Sequence, residues 1–351
     1  MEQLNSGMMA SLLRASGAAV VCTRGGRVEF VTPAAARILG GDCAGQNTVG
    51  ILPDRLLKLQ GSLGAASWRC RGHDCVVTLC GAGLYKFFYL TLTPPPRRMP
   101  PLPLPEWTEL ANLYMAAEHL KNAVKDASET DRLHAARLMK SYYRLYRWFS
   151  NVSTLSALQE GSLPYQPAVT DCAAFLRRLA EQLTPLAESR GIRIIAELPE
   201  QPEALMMDEA LMERAIMNLM LNSLLHCSDG SRIRLGLARR NDAATITVQD
   251  TGSGIAPEKM GSLFSAYDRA PELSPDRAGC GLPVALGIVK LHDGEILLES
   301  SPGTGTAVLL TLPGKAAEQL SLQTEKPEYD NRDLTRFYSG IADFLEETDL
   351  I

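Results

Sequence analysis

The sequence has no long apolar stretch, no large excess of charge of one sign and no CxxC cysteine pair. No run of about 18 apolar residues occurs, and the N-terminal segment MEQLNSGMMASLLRASG lacks a basic region followed by an apolar one. We therefore expect no membrane span and no secretion signal, and we predict a soluble cytoplasmic protein. The net charge of −5 gives no electrostatic reason to expect a nucleic acid as a partner.

The eight cysteines are spaced as reduced thiols of a cytosolic protein would be, rather than as a disulfide framework. Cys70, His73, Cys75 and Cys80 form the group that most suggests metal ligands. The segment CVVTLC has a strand pattern, in which Cys75 and Cys80 face opposite sides of a sheet. This pattern argues against a single metal site.

The chain has 351 residues, of which 46% are apolar and 21% charged, and this is enough for two or three globular domains. Changes in composition and the placement of the motifs predict an α+β protein of five segments. These are a small α+β module (1–93), a proline-rich linker (94–105), a helical hairpin (106–160), an α/β domain (166–314) and a tail with a short amphipathic helix (315–351).

The first segment begins with an apolar strand, a turn at Gly25 and Gly26, and a second strand, RVEFV. Pro33 then opens a short helix that ends at Gly40. This order resembles the start of a PAS domain, with Thr32 where that family usually has Asn. The resemblance implies a module that binds a small ligand or only dimerises, and no residue distinguishes the two roles.

The linker PPPRRMPPLPLP predicts an extended, semi-rigid connection because proline disfavours both helix interiors and central strands. Recognition by a proline-binding module is an alternative role for it.

Two amphipathic helices are predicted over residues 106–127 and 130–158, with SETD at 128–131 as the turn and cap between them. The apolar positions of the first are Leu110, Leu113, Ala117, Leu120 and Val124, and those of the second are Leu133, Leu138, Tyr142, Leu145, Trp148 and Phe149. Two antiparallel helices of this kind bury too little surface alone. We therefore expect two chains to form a four-helix bundle, which makes the protein a homodimer.

Four short motifs organise the next domain: NLMLNSLLH at 218–226, DTGSGI at 250–255, AGCGL at 278–282 and SPGTGT at 301–306. Strand-like segments separate them at 233–238, 244–250, 295–300 and 307–312. Asn218 and Asn222 are four apart on a predicted helix, so both amides leave the same face. Because that helix is otherwise rich in Met, Leu and Ile, the two amides indicate that a polar ligand binds there.

The four motifs, in this order and spacing, resemble the ATP-binding domain shared by histidine kinases, Hsp90-type chaperones, gyrases and MutL-type proteins. Together with the hairpin, the resemblance is closest to sensor histidine kinases and covers residues 107–313. It implies an N-terminal PAS-like module, an antiparallel hairpin that forms a dimeric four-helix bundle, and a C-terminal α/β sandwich of the histidine kinase/Hsp90 ATPase type. It also implies ATP and Mg²⁺ as cofactors and a response regulator as partner.

The resemblance assigns roles to the residues of the first two motifs. Asp250 would accept a hydrogen bond from the adenine amino group, while Gly252 and Gly254 let the backbone approach the base. Asn222 would coordinate Mg²⁺ through its amide oxygen, with Asn218 close by. His226 lies one turn further along the same face and would contact phosphate, although Leu225 occupies the position at which the family often has Lys.

The two remaining motifs match the family's later glycine boxes. Gly279 and Gly281 would present backbone N–H groups to the phosphates at a helix start, with Arg277 in place of the first glycine and Cys280 in place of Leu. In the last box, Gly303 and Gly305 precede Thr306, whose hydroxyl would support Asp250 and the adenine.

The hairpin departs from the family at the phosphoacceptor. The family's first helix carries His, then an acid, then Leu, whereas this chain reads Glu118, His119, Leu120. Consecutive helical residues point about 100° apart, so His119 is displaced from the usual position of the attacking nitrogen. A mobile ATP domain could still reach His119, with Glu118 orienting its other ring nitrogen. The alternative is a catalytically silent hairpin, which Ala123 in place of the family's Pro also favours.

Two further segments have predicted roles. Phe264 and Tyr267 resemble an aromatic segment near a mobile lid, and residues 268–280 would be that lid over the phosphates. In the tail, apolar residues from Leu334 to Leu345 recur on one face of a short helix, which either docks on its own domain or binds a partner. His292, Asp293 and Gly294 are interpreted as a helix C-cap rather than as catalytic residues.

Three functions fit the sequence. The first is a soluble sensor histidine kinase that passes phosphate from ATP to His119 and on to a response regulator. The second is a degenerate histidine kinase that acts as an ATP-binding signalling scaffold. The third is a kinase for protein serine, but relatives of that type normally lack a long hairpin, which counts against it.

Overall fold

A computed structural model describes residues 13–14, 17–58, 63–71, 73–82, 84–92, 106–124, 128–240, 242–256 and 280–314.

The N-terminal module is a five-stranded antiparallel sheet with two short helices. The strands of the module are β1 (Val20–Arg24), β2 (Arg27–Val31), β3 (Leu63–Cys70), β4 (His73–Ala82) and β5 (Tyr85–Leu92), and its helices are α1 (Pro33–Leu39) and α2 (Asp54–Leu57). The strands lie in the order β2-β1-β5-β4-β3.

Helix α1 begins and ends where the sequence predicts. The Thr32 hydroxyl accepts hydrogen bonds from the backbone N–H groups of Ala35 and Val20, at 3.3 and 2.8 Å, and donates to the carbonyl of Ala18 at 2.7 Å. Gly40 ends the helix with a φ of 79°, in the left-handed region that favours glycine. Thr32 therefore provides the helix cap at the position where the resemblance leads one to expect Asn.

The hairpin consists of α3 (Glu106–Ala123) and the long α4 (Glu129–Glu160). The predicted cap is confirmed, because the Ser128 hydroxyl accepts from the N–H of Asp131 at 3.2 Å. The predicted apolar positions differ in burial: Ala117 and Tyr142 are buried, whereas Leu120 and Leu145 are 47% and 39% exposed. The described chain thus leaves part of the predicted apolar side uncovered.

The C-terminal domain contains the remaining elements. Its strands are β6 (Ala168–Asp171), β7 (Arg193–Glu197), β8 (Ala204–Met207), β9 (Arg232–Arg240), β10 (Ala243–Asp250), β11 (Glu295–Ser301) and β12 (Gly305–Pro313), and its helices are α5 (Cys172–Glu188), α6 (Glu209–His226) and α7 (Gly281–Leu291). The three strands β10, β12 and β11 are antiparallel neighbours, and β7 adds to β9 in parallel. Strands β6 and β8 form a separate pair.

The two sheets join edge to edge, which the sequence did not predict. Strand β3 pairs antiparallel with β11, with Ala66 opposite Leu297 and Gly64 opposite Glu299. The result is one ten-stranded sheet with the order β2-β1-β5-β4-β3-β11-β12-β10-β9-β7. The proline-rich linker, residues 94–105, lies outside the described residues.

Two apolar cores lie on opposite faces of this sheet near the junction. Leu297 is 4% exposed and packs in the core of the N-terminal module, whereas its neighbour Leu298 packs in the core of the C-terminal domain. Leu63 and Ala65 of β3 also belong to the second core. Because side chains alternate along a strand, the adjacent leucines of β11 each contribute to a different core.

The C-terminal half of α4 contacts the helices of the C-terminal domain. Arg214 of α6 donates to the Ser150 hydroxyl, and a Cβ added at Gly287 of α7 would lie 2.6 Å from the Leu158 side chain. Glycine at position 287 therefore lets the two helices approach closely. None of the helices in the described ranges is long and apolar enough to cross a membrane.

Candidate nucleotide site

Asp250 lies at the end of β10, in the middle of the C-terminal sheet, and its side chain is fixed by three hydrogen bonds. Its Oδ1 accepts from the N–H groups of Gly252 and Thr306, at 2.9 and 3.2 Å, and its Oδ2 accepts from the Ser223 hydroxyl at 2.9 Å. The residue is 6% exposed. A carboxylate oxygen accepts more than one hydrogen bond, so Oδ2 has capacity left for a ligand donor.

Glycines around Asp250 allow three loops to pack backbone against backbone. A Cβ at Gly252 would lie 2.5 Å from the carbonyl oxygen of His226, at the end of α6. A Cβ at Gly254 would collide with the carbonyl of Ser301, and one at Gly305 with that of Asp250 itself. Gly303 has a positive φ of 76° but no atom within 4 Å of its missing Cβ. A side chain at Gly252, Gly254 or Gly305 would therefore collide with backbone atoms, and the last two also have a positive φ, which favours glycine.

Thr306 supports Asp250 through its backbone N–H, and its hydroxyl lies beside Ser300. The Ser300 hydroxyl donates to the carbonyl of Gly305 at 2.9 Å and accepts from the N–H of Ile255 at 2.9 Å. The Thr306 hydroxyl lies 2.9 Å from that same Ser300 oxygen and, since the single Ser300 hydrogen is already used, acts as the donor. The Thr306 hydroxyl therefore bonds to Ser300, while the backbone N–H of Thr306 donates to Asp250.

The two amides of α6 lie on the side facing α7. Asn218 is 8% exposed, and its Nδ2 finds no hydrogen-bond partner among the described residues. A Cβ at Gly281, the first residue of α7, would lie 3.3 Å from the Asn218 Oδ1. Asn222 is half-buried one turn further along α6, and the His226 side chain is exposed at its end. A buried amide donor beside a helix start is the polar surface that an anionic ligand would satisfy.

Cys280 precedes α7 without capping it by a side-chain hydrogen bond. Burial raises the pKa of its thiol to about 11. The thiol therefore stays protonated at neutral pH and adds no negative charge to the helix start. Gly279, Arg277, Phe264, Tyr267 and most of the predicted lid lie outside the described residues, as does the tail 315–351.

The structure brings Gly252, Gly305 and Thr306 to Asp250, and it places Gly254 against Ser301 and Gly281 against Asn218. Glu118 and His119 lie elsewhere, on α3. His119 is exposed and Glu118 is half-buried. The rings of Tyr114 and Tyr142 are 5.3 Å apart, which places His119 level with about residue 137 of the antiparallel α4. At a helical rise of about 1.5 Å per residue, the level of His119 lies roughly 20 Å along α4 from Ser150, where α4 contacts α6.

Sequence reasoning did not find Ser223 and Ser300, the two serines that support Asp250 and its loop. Ser223 directly follows Asn222, and its role could have been suspected because a hydroxyl in that apolar helix needs a partner. Ser300 gives no such signal, because a serine near the end of a strand is ordinary.

The donors and acceptors fit a nucleotide with Mg²⁺. Asp250 offers an acceptor for an adenine amino group, the start of α7 offers N–H groups for phosphate, and Asn222 offers a neutral oxygen for the metal. No group of three or more His, Cys, Asp or Glu side chains that could hold a metal ion occurs among the described residues.

Comparison with known proteins gives a family for this domain. Residues 207–316 match the model of the histidine kinase-, DNA gyrase B- and HSP90-like ATPase family. The alginate biosynthesis sensor protein KinB of Pseudomonas aeruginosa is 31% identical over 170 residues, which cover 48% of this chain and 28% of KinB. The sensor protein IrlS of Burkholderia pseudomallei is 32% identical over 214 residues, covering 60% of this chain and 45% of IrlS. The chain thus spans less than half the length of these two relatives.

Among solved structures, full-length ShkA in complex with AMPPNP matches with a TM-score of 0.51 at 22% identity. The match covers 59% of this chain and 43% of ShkA, and it supports the fold.

Proposed function

The chain is related to the sensor histidine kinases through an ATPase domain shared with DNA gyrase B and HSP90, and from this premise we propose that it is an ATP-dependent protein histidine kinase. It binds ATP with Mg²⁺ between α6 and α7 and transfers the γ-phosphate to His119. The observation that carries the proposal is the arrangement at Asp250. Its Oδ1 is held by two backbone N–H groups, which leaves acceptor capacity on Oδ2 for the adenine.

Each part of the nucleotide has residues that would hold it. Asp250 would bind the adenine amino group, with Gly252 and Gly254 beside the base. The start of α7 at Gly281 and the Asn218 amide would face the phosphates, and Asn222 would bind the metal. When bound, Mg²⁺ neutralises charge on the phosphates during transfer.

His119 fits the role of acceptor because its side chain is exposed. Its distance along α4 from the Ser150 contact implies that the ATPase domain moves along the hairpin, or is repositioned by a dimer partner, before transfer. Glu118 directly precedes His119 on α3, and its backbone carbonyl accepts a hydrogen bond from the side-chain amide of Asn122 at 3.0 Å. A glutamate next to the acceptor could hold the second ring nitrogen.

The hairpin also suggests a homodimer, since Met115, Leu120 and Leu145 are large apolar side chains left 67%, 47% and 39% exposed. Pairing of two hairpins in a four-helix bundle would cover such side chains. A response regulator would then receive the phosphate, and the N-terminal module, whose sequence resembles the start of a PAS domain, would sense a signal.

The degenerate-kinase alternative rests on the exchange of Glu118 and His119 and on Ala123 in place of proline. In that case the protein binds ATP as a signalling scaffold without phosphorylating itself.

Incubation of the full chain with γ-labelled ATP and Mg²⁺ tests the proposal, with His119→Ala and His134→Ala as matched variants. His134 is a second exposed histidine of the hairpin, on α4. We expect label that acid treatment removes, that is absent from His119→Ala and that is retained in His134→Ala. Acid-stable label would indicate serine instead, and ATP binding without any label would support the scaffold alternative.

A further inference from the structure

His292, directly after the last residue of α7, is buried with both ring nitrogens hydrogen-bonded. It is 4% exposed, its Nδ1 lies 2.8 Å from the carbonyl oxygen of Ile288, and its Nε2 lies 2.9 Å from the backbone nitrogen of Asp208. A carbonyl only accepts and a backbone N–H only donates, so Nδ1 carries the proton and Nε2 is bare. The two bonds thus fix one neutral tautomer.

The bond from Asp208 links His292 to the start of α6. Asp208 is the N-cap of α6, and its Oδ1 accepts from the N–H of Leu211 at 3.1 Å. Its Oδ2 accepts from the N–H of Gln166 at 2.8 Å, in the segment that follows α4. In the same segment, the Tyr165 ring stands edge-on to the imidazole, with centroids 5.0 Å apart. Three parts of the chain therefore meet at this imidazole.

Helices α6 and α7 run antiparallel, with a contact at each end of their shared length. At one end His292 accepts from Asp208, and at the other end Gly281 packs against Asn218. About ten residues separate the two contacts on each helix, or roughly 15 Å at a rise of about 1.5 Å per residue. The second contact lies in the candidate nucleotide site, so a slide or splay at the histidine end changes the gap between Asn218 and Gly281.

We propose that His292 is a positioning residue for nucleotide binding: its Nε2 acceptor fixes α6 against α7 and thereby sets the width of the phosphate site. The inference rests on the proposed function, since it concerns the same ATP site. His292 does not touch the nucleotide residues. It acts on the fraction of molecules in which the two helices are in the binding arrangement, and the apparent dissociation constant rises as that fraction falls.

Two substitutions separate this role from that of a helix cap. His292→Gln places an amide oxygen at the distance of Nε2, where it can accept from the Asp208 N–H. His292→Asn is shorter, and its amide can donate to the Ile288 carbonyl but cannot reach Asp208. If His292 only caps α7, Asn and Gln should replace it about equally well, because its φ of −89° lies outside the left-handed region in which Asn is favoured at helix C-termini.

Titration of the full chain with a fluorescent ATP analogue and Mg²⁺ tests the proposal. We expect the Kd of His292→Asn to rise about tenfold and that of His292→Gln to stay within about threefold of wild type. Equal changes in the two variants, or a weaker Gln than Asn variant, would overturn it. Circular dichroism confirms that each titrated variant is folded.

An NMR measurement on the wild-type protein decides the matter if the Asn variant does not fold. Nitrogen shifts of His292 should show a protonated Nδ1 and a bare Nε2, with hydrogen-bond coupling between Nε2 and the Asp208 amide. A protonated Nε2 would overturn the proposal. The wild-type titration keeps the two claims apart: no binding by wild type contradicts the proposed function itself, whereas normal binding by His292→Asn contradicts only the role of His292.

Discussion

Single residues in the nucleotide site are placed by backbone groups more than by other side chains. Asp250 accepts from the N–H of Gly252, in the loop after β10, and from that of Thr306, near the start of β12, while the Thr306 hydroxyl bonds to Ser300. Such bonds need the loops to approach closely, and the glycines provide that approach. The site is thus built from tightly packed loops, so it should be sensitive to single methyl groups.

Gly305 and Gly303 offer a matched test of this sensitivity. Both have positive φ, 105° and 76°, but only at Gly305 would a Cβ collide with the carbonyl of Asp250. We expect Gly305→Ala to lower the free energy of unfolding by about 2 to 4 kcal/mol and Gly303→Ala by about 1 kcal/mol. Urea denaturation of both variants measures the difference, and equal losses would show that the loops around Asp250 are looser than described.

Some residues of the site could be predicted from the sequence and others could not. Asp250, Asn218 and the glycines could be predicted, because each is a residue type that the local chemistry demands. The role of His292 could not, because it depends on a contact with Asp208, 84 positions away. For Ser223 the sequence offers only the hint of a hydroxyl in an apolar helix, since its partner lies 27 positions away. The structure pairs the Thr306 hydroxyl with Ser300 and the Thr306 N–H with Asp250, a division between two groups of one residue that the sequence does not indicate.

At the scale of elements, the hydrogen bond between the start of α6 and the end of α7 involves a buried, neutral histidine, His292. Burial lowers the pKa of His292 below its usual value, against opposing effects of the Ile288 carbonyl, Asp208 and Asp293. The Tyr165 ring covers it from the segment after α4. Charging this imidazole would also remove the acceptor that Asp208 uses.

This arrangement predicts a dependence of stability on pH. The folded pKa lies below the unfolded one, about 6.5, so the contribution of His292 is complete above pH 6.5 and is lost as the pH falls toward the folded pKa. The loss is at most about 1.4 kcal/mol per pH unit for one proton. Denaturation at pH 7.5 and 5.5 should show a smaller pH effect in His292→Gln than in wild type.

His226→Gln is the control for that experiment, because His226 is exposed at the end of α6. It should follow wild type at both pH values. A wild-type pH effect that His292→Gln leaves unchanged would contradict the buried neutral histidine.

The elements themselves were largely predictable. The helices of the hairpin and four strands of the C-terminal domain, β9, β10, β11 and β12, follow from apolar periodicity and caps, within a few residues at each end. The first hairpin helix ends at Ala123, earlier than the predicted 127, while the second extends to Glu160. Periodicity identifies which face is apolar but not which apolar residues remain uncovered, as Leu120 and Leu145 show.

At the scale of the whole molecule, the two sheets join through β3 and β11. No local pattern predicts this pairing, because the two strands are more than 200 residues apart and either could have been an edge. In retrospect, the adjacent residues Leu297 and Leu298 are consistent with the pairing, since they make both faces of β11 apolar, as in a strand that is covered on both sides. Joined in this way, the N-terminal module and the C-terminal domain should unfold together.

Cross-linking tests the register of the junction. Ala66 and Leu297 lie directly opposite each other, at a separation that a disulfide can span. We expect Ala66→Cys with Leu297→Cys to form an intramolecular disulfide under mild oxidation. The shifted pair Ala65→Cys with Leu297→Cys should form it far less, since those side chains lie on opposite faces. Peptide mapping without reductant identifies the bond, and equal yields would contradict the register.

The claim on which the account depends is that Asp250 reads an adenine. Calorimetric titration of the full chain with ATP and with GTP, in the presence of Mg²⁺, measures it directly when Asp250→Asn is titrated alongside. We expect wild type to bind ATP at least about tenfold more tightly than GTP, and Asp250→Asn to lose this preference while remaining folded. Equal affinity of wild type for both nucleotides, or ATP binding unaffected by Asp250→Asn, would contradict it.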